Sequence, residues 1–518
     1  MEKNLTEGSV FKNIVSFSLP YLFSYFLQTL YGMADLFIIG IYGGVSETTA
    51  VSIGSQVMHM LTVMIVGLSM GTTVNLANAV GAGDKKRARL CVGNTVTLFA
   101  AVSVVLTAVL LLLVNPITAA MSTPKEAVEG TVKYLTVCFI GIPFITAYNI
   151  ISSVFRGMGD SKSPMYFIAV ACGFNIALDF LFMGVFSMGP EGAALGTTLS
   201  QAISVILSLI YMLKSKDGIR LKREDLKPQS DVCGKILKTG VPIAFQDGLI
   251  QIAFIVITVI ANNRGLTDAA AVGIVEKIIG FLFLVPSTML STVSALGAQN
   301  IGANKPKRAV GTLRYAVLIA TVFGIIVTVI MQFEAESAVA LFTKDAAVAA
   351  AGGEYLRGYV LDCIFAGIHF SFSGYFCAAG KSEISFLHNI SAIVLMRDII
   401  KSASEGEQAH TVLKDDNLGI NMMTVAVPVK QKGGSNITAV IYLVGSLSDI
   451  DKTVGNVKMN LFLFSGLISV LIAFLSYGMS YIVTSPVDEF IEAAREISKG
   501  NFDKRVKVKG HDEFAQLA

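Results

Sequence analysis

Gly81-Ala82-Gly83-Asp84-Lys85-Lys86-Arg87-Ala88 returns 221 residues later as Gly302-Ala303-Asn304-Lys305-Pro306-Lys307-Arg308-Ala309, with five of the eight positions identical. The same offset pairs Val51 with Val272, Tyr134-Leu135 with Tyr355-Leu356, Phe155 with Phe376, Gly159 with Gly380 and Ser161 with Ser382. Residues 51–161 therefore recur, weakly, at 272–382. Each octapeptide follows the second hydrophobic segment of its half. A unit this long is no solenoid repeat. In a very apolar chain it marks a two-lobed secondary transporter, with its substrate site between the lobes.

Composition agrees. The chain has 518 residues, 53% hydrophobic and only 15% charged, which excludes an ordinary soluble protein and points to a polytopic membrane protein. The net charge of +3 says little because the charges sit in loops, and no nucleic-acid partner is expected. There is no Trp, so any aromatic belt rests on Tyr and Phe. The six cysteines show no CxxC and no metal spacing, and they read as small core residues. The first apolar run is a full span, not a signal-peptide core.

A membrane-spanning helix needs about 20 apolar residues. Ten full spans are expected, near 14–43, 49–78, 91–114, 131–155, 165–187, 191–214, 236–261, 269–296, 311–332 and 353–378. The segments Asp84–Arg89, Lys214–Lys227 and Lys305–Arg308 are basic. By the positive-inside rule they and the N-terminus face the cytoplasm of the cell membrane. Six helices fall in a first lobe at 1–215, before a linker at 216–234. A second lobe covers 235–397.

That second lobe breaks off. The eleventh helix opens at Ser385-Phe386-Leu387-His388, and its apolar part stops after Met396. About 12 residues reach only about 18 Å at the helical rise, against about 30 Å of hydrocarbon. Beyond Arg397 the text changes. Residues 398–456 are first charged, then alternate as strands at Asn421–Val429 and Ile437–Val444 around a turn. Residues 457–484 hold one clean span. From Ser485 the residues Val487, Phe490, Ile491, Ala494 and Ile497 repeat at helical spacing on one face.

Ionisable residues inside spans are costly and usually functional. Asp35 lies mid-span. Asn175 and Asp179 lie four apart in the fifth span and share a helix face. A carboxylate beside an amide in a low dielectric suits a proton or a hard cation. Thr197 or Thr198 offers a hydroxyl from the sixth span. The plain alternative is inert polar glue between helices. The second lobe holds Asp247, Glu276 beside Lys277, and Asp362. Arg156 and Asp160 stand at a helix end and read as interfacial snorkelling or a loop clamp.

Pro20 through Gly40, the Gly81–Arg87 loop, Phe155-Arg156-Gly157-Met158-Gly159-Asp160 and Asn175-Ile176-Ala177-Leu178-Asp179 resemble the multidrug and toxin extrusion (MATE) family. The resemblance covers residues 1–397. It implies an all-α bundle of two six-helix lobes, exporting cationic or amphiphilic small molecules in exchange for H⁺ or Na⁺, with no other cofactor. It also implies a cation site at Asp35, Asn175, Asp179 and Thr197. Asp362 resembles a second-lobe carboxylate used for coupling in some members, with Asp247 and Glu276 as further candidates.

The tail resembles a different family. Residues 398–456 look like the end of an extracytoplasmic sensor domain of a histidine kinase, and 457–484 like its membrane helix. Ser485-Pro486-Val487, Gly500-Asn501-Phe502 and Asp512-Glu513 resemble a HAMP signalling module, here incomplete, running over 485–518. HAMP modules imply homodimerisation through that helix. No phosphoacceptor helix or ATP-binding box follows, so no kinase catalysis is expected. Three readings result: an exporter impaired by the joint at 397/398, a signalling protein acting through the HAMP helix, and a non-functional chimera.

Overall fold

A computed structural model describes residues 4–121, 123–214, 221–264 and 266–386, together with three strands beyond them. The chain divides into two units, Met1–Leu395 and Met396–Ala518. In the first unit every described element is helical. In the first lobe they are α1 (Val10–Tyr42), α2 (Val45–Gly81), α3 (Lys85–Leu112), α4 (Val114–Ala120), α5 (Lys125–Ile140), α6 (Ile142–Gly157), α7 (Lys162–Asp179) and α8 (Gly189–Lys214). In the second they are α9 (Ser230–Arg264), α10 (Leu266–Leu282), α11 (Leu284–Gly302), α12 (Pro306–Ala340), α13 (Ala346–Tyr359) and α14 (Asp362–Ala378).

Helix covers most of each of the ten expected span segments, with breaks that include Gly141, Phe283 and Leu361. Among the described residues seven stretches are long and apolar enough to cross a membrane, or nine if each bent helix pair is one span. The two bent pairs are α5 with α6, at 48°, and α13 with α14, at 42°. They are repeat-related: Gly141 at the first bend corresponds to Asp362 at the second.

The repeat is written into the turns. Gly83 and Asn304 share a repeat position, and both have left-handed backbone, φ 70° and 53°. Gly159 and Gly380 do the same, at 87° and 71°. These are conformations that Gly adopts freely and Asn tolerates. Asp84 N donates to Ala79 O and Lys305 N to Asn300 O; Asp160 N donates to Phe155 O and Lys381 N to Phe376 O. Each second bond is the first one moved along by the offset.

The lobes meet along reciprocal contacts. A Cβ on Gly81 would overlap the Gln299 carbonyl, and one on Gly302 would overlap the Asn78 carbonyl. Asn78 and Gln299 are themselves repeat partners. Bare backbone thus packs on bare backbone at the end that carries the basic loops. The Gln299 side chain accepts from Leu5 N and donates to Gly157 O, both at 3.2 Å. Lys305 Nζ donates to Thr6 O at 3.1 Å and Arg308 Nη1 to Gly8 O at 2.8 Å. The N-terminal segment is held by the second lobe's copy of the repeated loop.

Of the six cysteines, all unpaired, five are buried, as small core residues should be. Ser385, at the expected start of the eleventh helix, is buried and bonds Gln246 Oε1 at 2.7 Å. Nearly all of that helix lies outside the described residues, as do the span at 457–484 and the module at 485–518. In the second unit β1 (Ala409–Asp415), β2 (Ile420–Lys430) and β3 (Ile437–Ser446) form an antiparallel sheet in that order. β2 and β3 span the two alternating stretches of sequence.

Candidate cation site

Three helices of the first lobe bring Asp35, Asn175, Asp179 and Thr197 together. α1 carries Asp35, α7 carries Asn175 and Asp179, and α8 carries Thr197. Asp35, Asn175 and Asp179 are each at most 3% exposed. Thr197 Oγ1 donates to Asp35 Oδ2 at 3.0 Å and accepts from Asn175 Nδ2 at 3.4 Å. One hydroxyl therefore links α1, α7 and α8. Of the two threonines the sequence offers, Thr197 is the one bonded to Asp35 and Asn175. Thr198 packs against the bend at Gly141, and its Oγ1 has no partner among the described residues.

The chemistry lies in what stays unpaired. Asp35 Oδ1, Asn175 Oδ1 and both Asp179 oxygens are buried without a donor among the described residues. An unsatisfied buried polar group costs about 1–3 kcal/mol, and a charged one more. Four acceptor oxygens in one place suit a proton shared between carboxyls or a hard monovalent cation. Two carboxylates are few for a divalent ion. No cluster of three or more His, Cys, Asp or Glu able to hold a metal occurs among the described residues.

Two supporting features were not read from the sequence. Gly196 lies under the Asp179 carboxyl, and Asp179 Oδ1 occupies the space a Cβ would need. In sequence it is one more small helical residue. A π-helical turn, Phe180–Val185, begins directly after Asp179, and such turns are frequent at functional sites. One helical turn from the site, Gln201 Nε2 donates to the Tyr31 hydroxyl at 3.3 Å, a second tie between α8 and α1.

The second-lobe candidates form no comparable hydrogen-bonded set among the described residues. Glu276 Oε1 accepts from Thr258 Oγ1 at 2.8 Å, joining α10 to α9. Asp247 turns toward the first lobe, its Oδ2 lying against Gly67 of α2. Asp362 opens α14 at the bend. No hydrogen bond links the three among the described residues. Asp160 is a helix cap, accepting from Lys162 N and Ser163 N at 3.0 and 3.1 Å. Arg156 corrects the reading of interfacial snorkelling. It is 5% exposed, turned into the bundle and stacked on Tyr21, 5.1 Å from the ring centre.

Comparison with known proteins adds to this. The MatE family model matches residues 20–181 and 242–397. The HAMP domain model matches residues 478–518. The chain is 30% identical over 394 residues to the probable multidrug resistance protein YpnP of Bacillus subtilis (strain 168), covering 76% of this chain and 88% of that one. It is 24% identical over 377 residues to the multidrug export protein MepA of Staphylococcus aureus (strain NCTC 8325 / PS 47), covering 73% and 83%. A solved structure described as the outward-facing conformation of a multidrug resistance MATE family transporter of the MOP superfamily superposes with a TM-score of 0.71 at 23% identity. It covers 76% of this chain and 88% of that one. At that identity the superposition speaks for the fold alone.

Proposed function

The chain belongs to the MatE family of multidrug transporters, with a HAMP domain further along, and from that premise we propose that it exports cationic or amphiphilic small molecules in exchange for H⁺ or Na⁺ taken up at Asp35, Asn175, Asp179 and Thr197. It is a multi-pass membrane protein of a transporter family, not of an enzyme family. The observation that carries the coupling site is the set of four buried oxygens without donors, gathered from α1 and α7.

The geometry suggests how an ion reaches the helices. Asp35 is bonded to α8 through Thr197, so α1 and α8 share a joint at the site. A proton or cation on Asp35 and Asp179 removes the repulsion between the carboxylates and draws α1 onto α7. Its departure reverses that. Each state then favours a different packing of α1 within the lobe, and a substrate that binds one packing better is coupled to the ion. The N-terminus and the basic loops are placed on the cytoplasmic side, where the positive-inside rule puts them.

The test is energised efflux of a cationic dye from cells lacking their main drug exporters. The chain should lower dye retention, and Asp35→Asn should return it to background with membrane insertion intact. Wild-type efflux from Asp35→Asn would sink the site.

The HAMP match favours a second role, in which the HAMP module at 485–518 forms a parallel homodimer that passes a signal. Removal of residues 398–518 separates the two. If the tail is a passenger or a signalling arm, efflux per inserted molecule stays unchanged. A large loss would mean that the span at 457–484 completes the transport bundle.

A further inference from the structure

A second buried site lies in the first lobe, built around Arg156. Its guanidinium stacks on Tyr21, and Nη2 donates to Ser153 Oγ at 2.7 Å. The hydroxyl of Ser153 passes the chain on to Ser69 Oγ at 2.8 Å. Nε is buried and has no partner among the described residues. Nor does any carboxylate lie within ion-pairing distance of the guanidinium among them. A full positive charge inside a helical bundle is costly unless something neutralises it.

Beside the guanidinium is a cavity with a volume of about 20 Å³, lined by Tyr21, Ser24, Tyr25, Gln28, Asn149 and Arg156 among others. That is room for about one water-sized occupant. The lining offers donors. Ser291 Oγ donates to the Tyr21 hydroxyl at 3.0 Å, and Tyr21 donates to Tyr25 at 3.2 Å. The Tyr25 proton and Arg156 Nε–H are left without an acceptor among the described residues, and both residues line the cavity. Asp247 of α9 forms no ion pair with Arg156 among the described residues. The cavity therefore has a fixed cation, free donors and a size limit.

We propose that this cavity binds one small monovalent anionic group, with Arg156 as its counter-charge and Tyr25 as a hydrogen-bond donor. The group is a free halide such as chloride, whose single atom suits the room available. The proposal is independent of the export reading and of the carboxylate site on α7.

The test uses the purified full chain and needs no transport. Unfolding is followed with a thiol-reactive dye at the buried cysteines, since the chain has no Trp. Sodium chloride is titrated against sodium gluconate at constant ionic strength, and sodium formate and acetate are titrated separately. A ligand that binds the folded state raises Tm by mass action. A saturable rise of about 2 °C or more is expected, absent in Arg156→Gln. Arg156→Lys keeps the charge but loses the planar fork, so its rise should saturate at several-fold higher concentration. A rise with chloride is the expected result, and a rise with formate or acetate alone would overturn the assignment to a halide. No rise with any anion in the wild type overturns the proposal, as does a wild-type response in Arg156→Lys and Arg156→Gln. If Arg156→Gln does not fold, Tyr25→Phe replaces it and should weaken the same response.

Discussion

In the first lobe two carboxyls, an amide and a hydroxyl from three helices converge on one buried spot. In the second, no hydrogen bond links Asp247, Glu276 and Asp362 among the described residues. Yet the lobes share their turns, their left-handed residues and their bent helices, position for position. The backbone plan is duplicated and the ion chemistry is not. Repeat symmetry explains the scaffold of this molecule, while the coupling we propose rests on positions where the two halves diverge.

The comparison breaks most visibly at the converging carboxyls. Asp35→Asn and Asp179→Asn should each abolish coupled export while leaving the protein in the membrane, measured as dye efflux per inserted molecule. Next is Gly196→Ala. An added methyl must displace the Asp179 carboxyl, so efflux should fall nearly as far, with little change in expression. Normal efflux from this variant would show that Asp179 has room to move.

A smaller effect probes the shared plan. Gly81→Ala and Gly302→Ala each drive a methyl into a carbonyl of the facing lobe. Overpacking of this kind costs about 1–3 kcal/mol. The two should lower Tm by similar amounts, because Gly81 and Gly302 make the same contact in reverse. Very unequal shifts would count against the reciprocal interface. Smallest of all, Glu276→Gln and Asp362→Asn should leave measurable efflux, since neither belongs to a converging set of donors and acceptors.

Much of this was legible in the sequence, for physical reasons. The repeat was visible because pairs such as Gly81 with Gly302 and Gly159 with Gly380 keep their residue where the backbone leaves few choices. Asp35 and Asp179 stood out because a carboxylate in an apolar run needs a reason. Asn175 followed from its i, i+4 spacing to Asp179. Other features could not be read along the chain. Gly196 matters through a contact with a residue on another helix, and small helical residues are common in membrane bundles. Arg156 stands at a helix end, where a long side chain has two directions open to it. Only the packed bundle shows that it turns inward onto Tyr21. That Asp247 turns toward Gly67 of the first lobe while Glu276 bonds Thr258 is equally a tertiary fact.

The central claim is that the ion is taken up in the first lobe. The most direct measurement reconstitutes the full chain in lipid vesicles, imposes a Na⁺ or a pH gradient, and records substrate-dependent ion flux for the wild type, Asp35→Asn and Asp362→Asn. The account predicts flux with one of the two gradients in the wild type, none in Asp35→Asn, and a clear residue of flux in Asp362→Asn. Flux retained by Asp35→Asn and lost in Asp362→Asn would contradict it, and would move the coupling site to the second lobe.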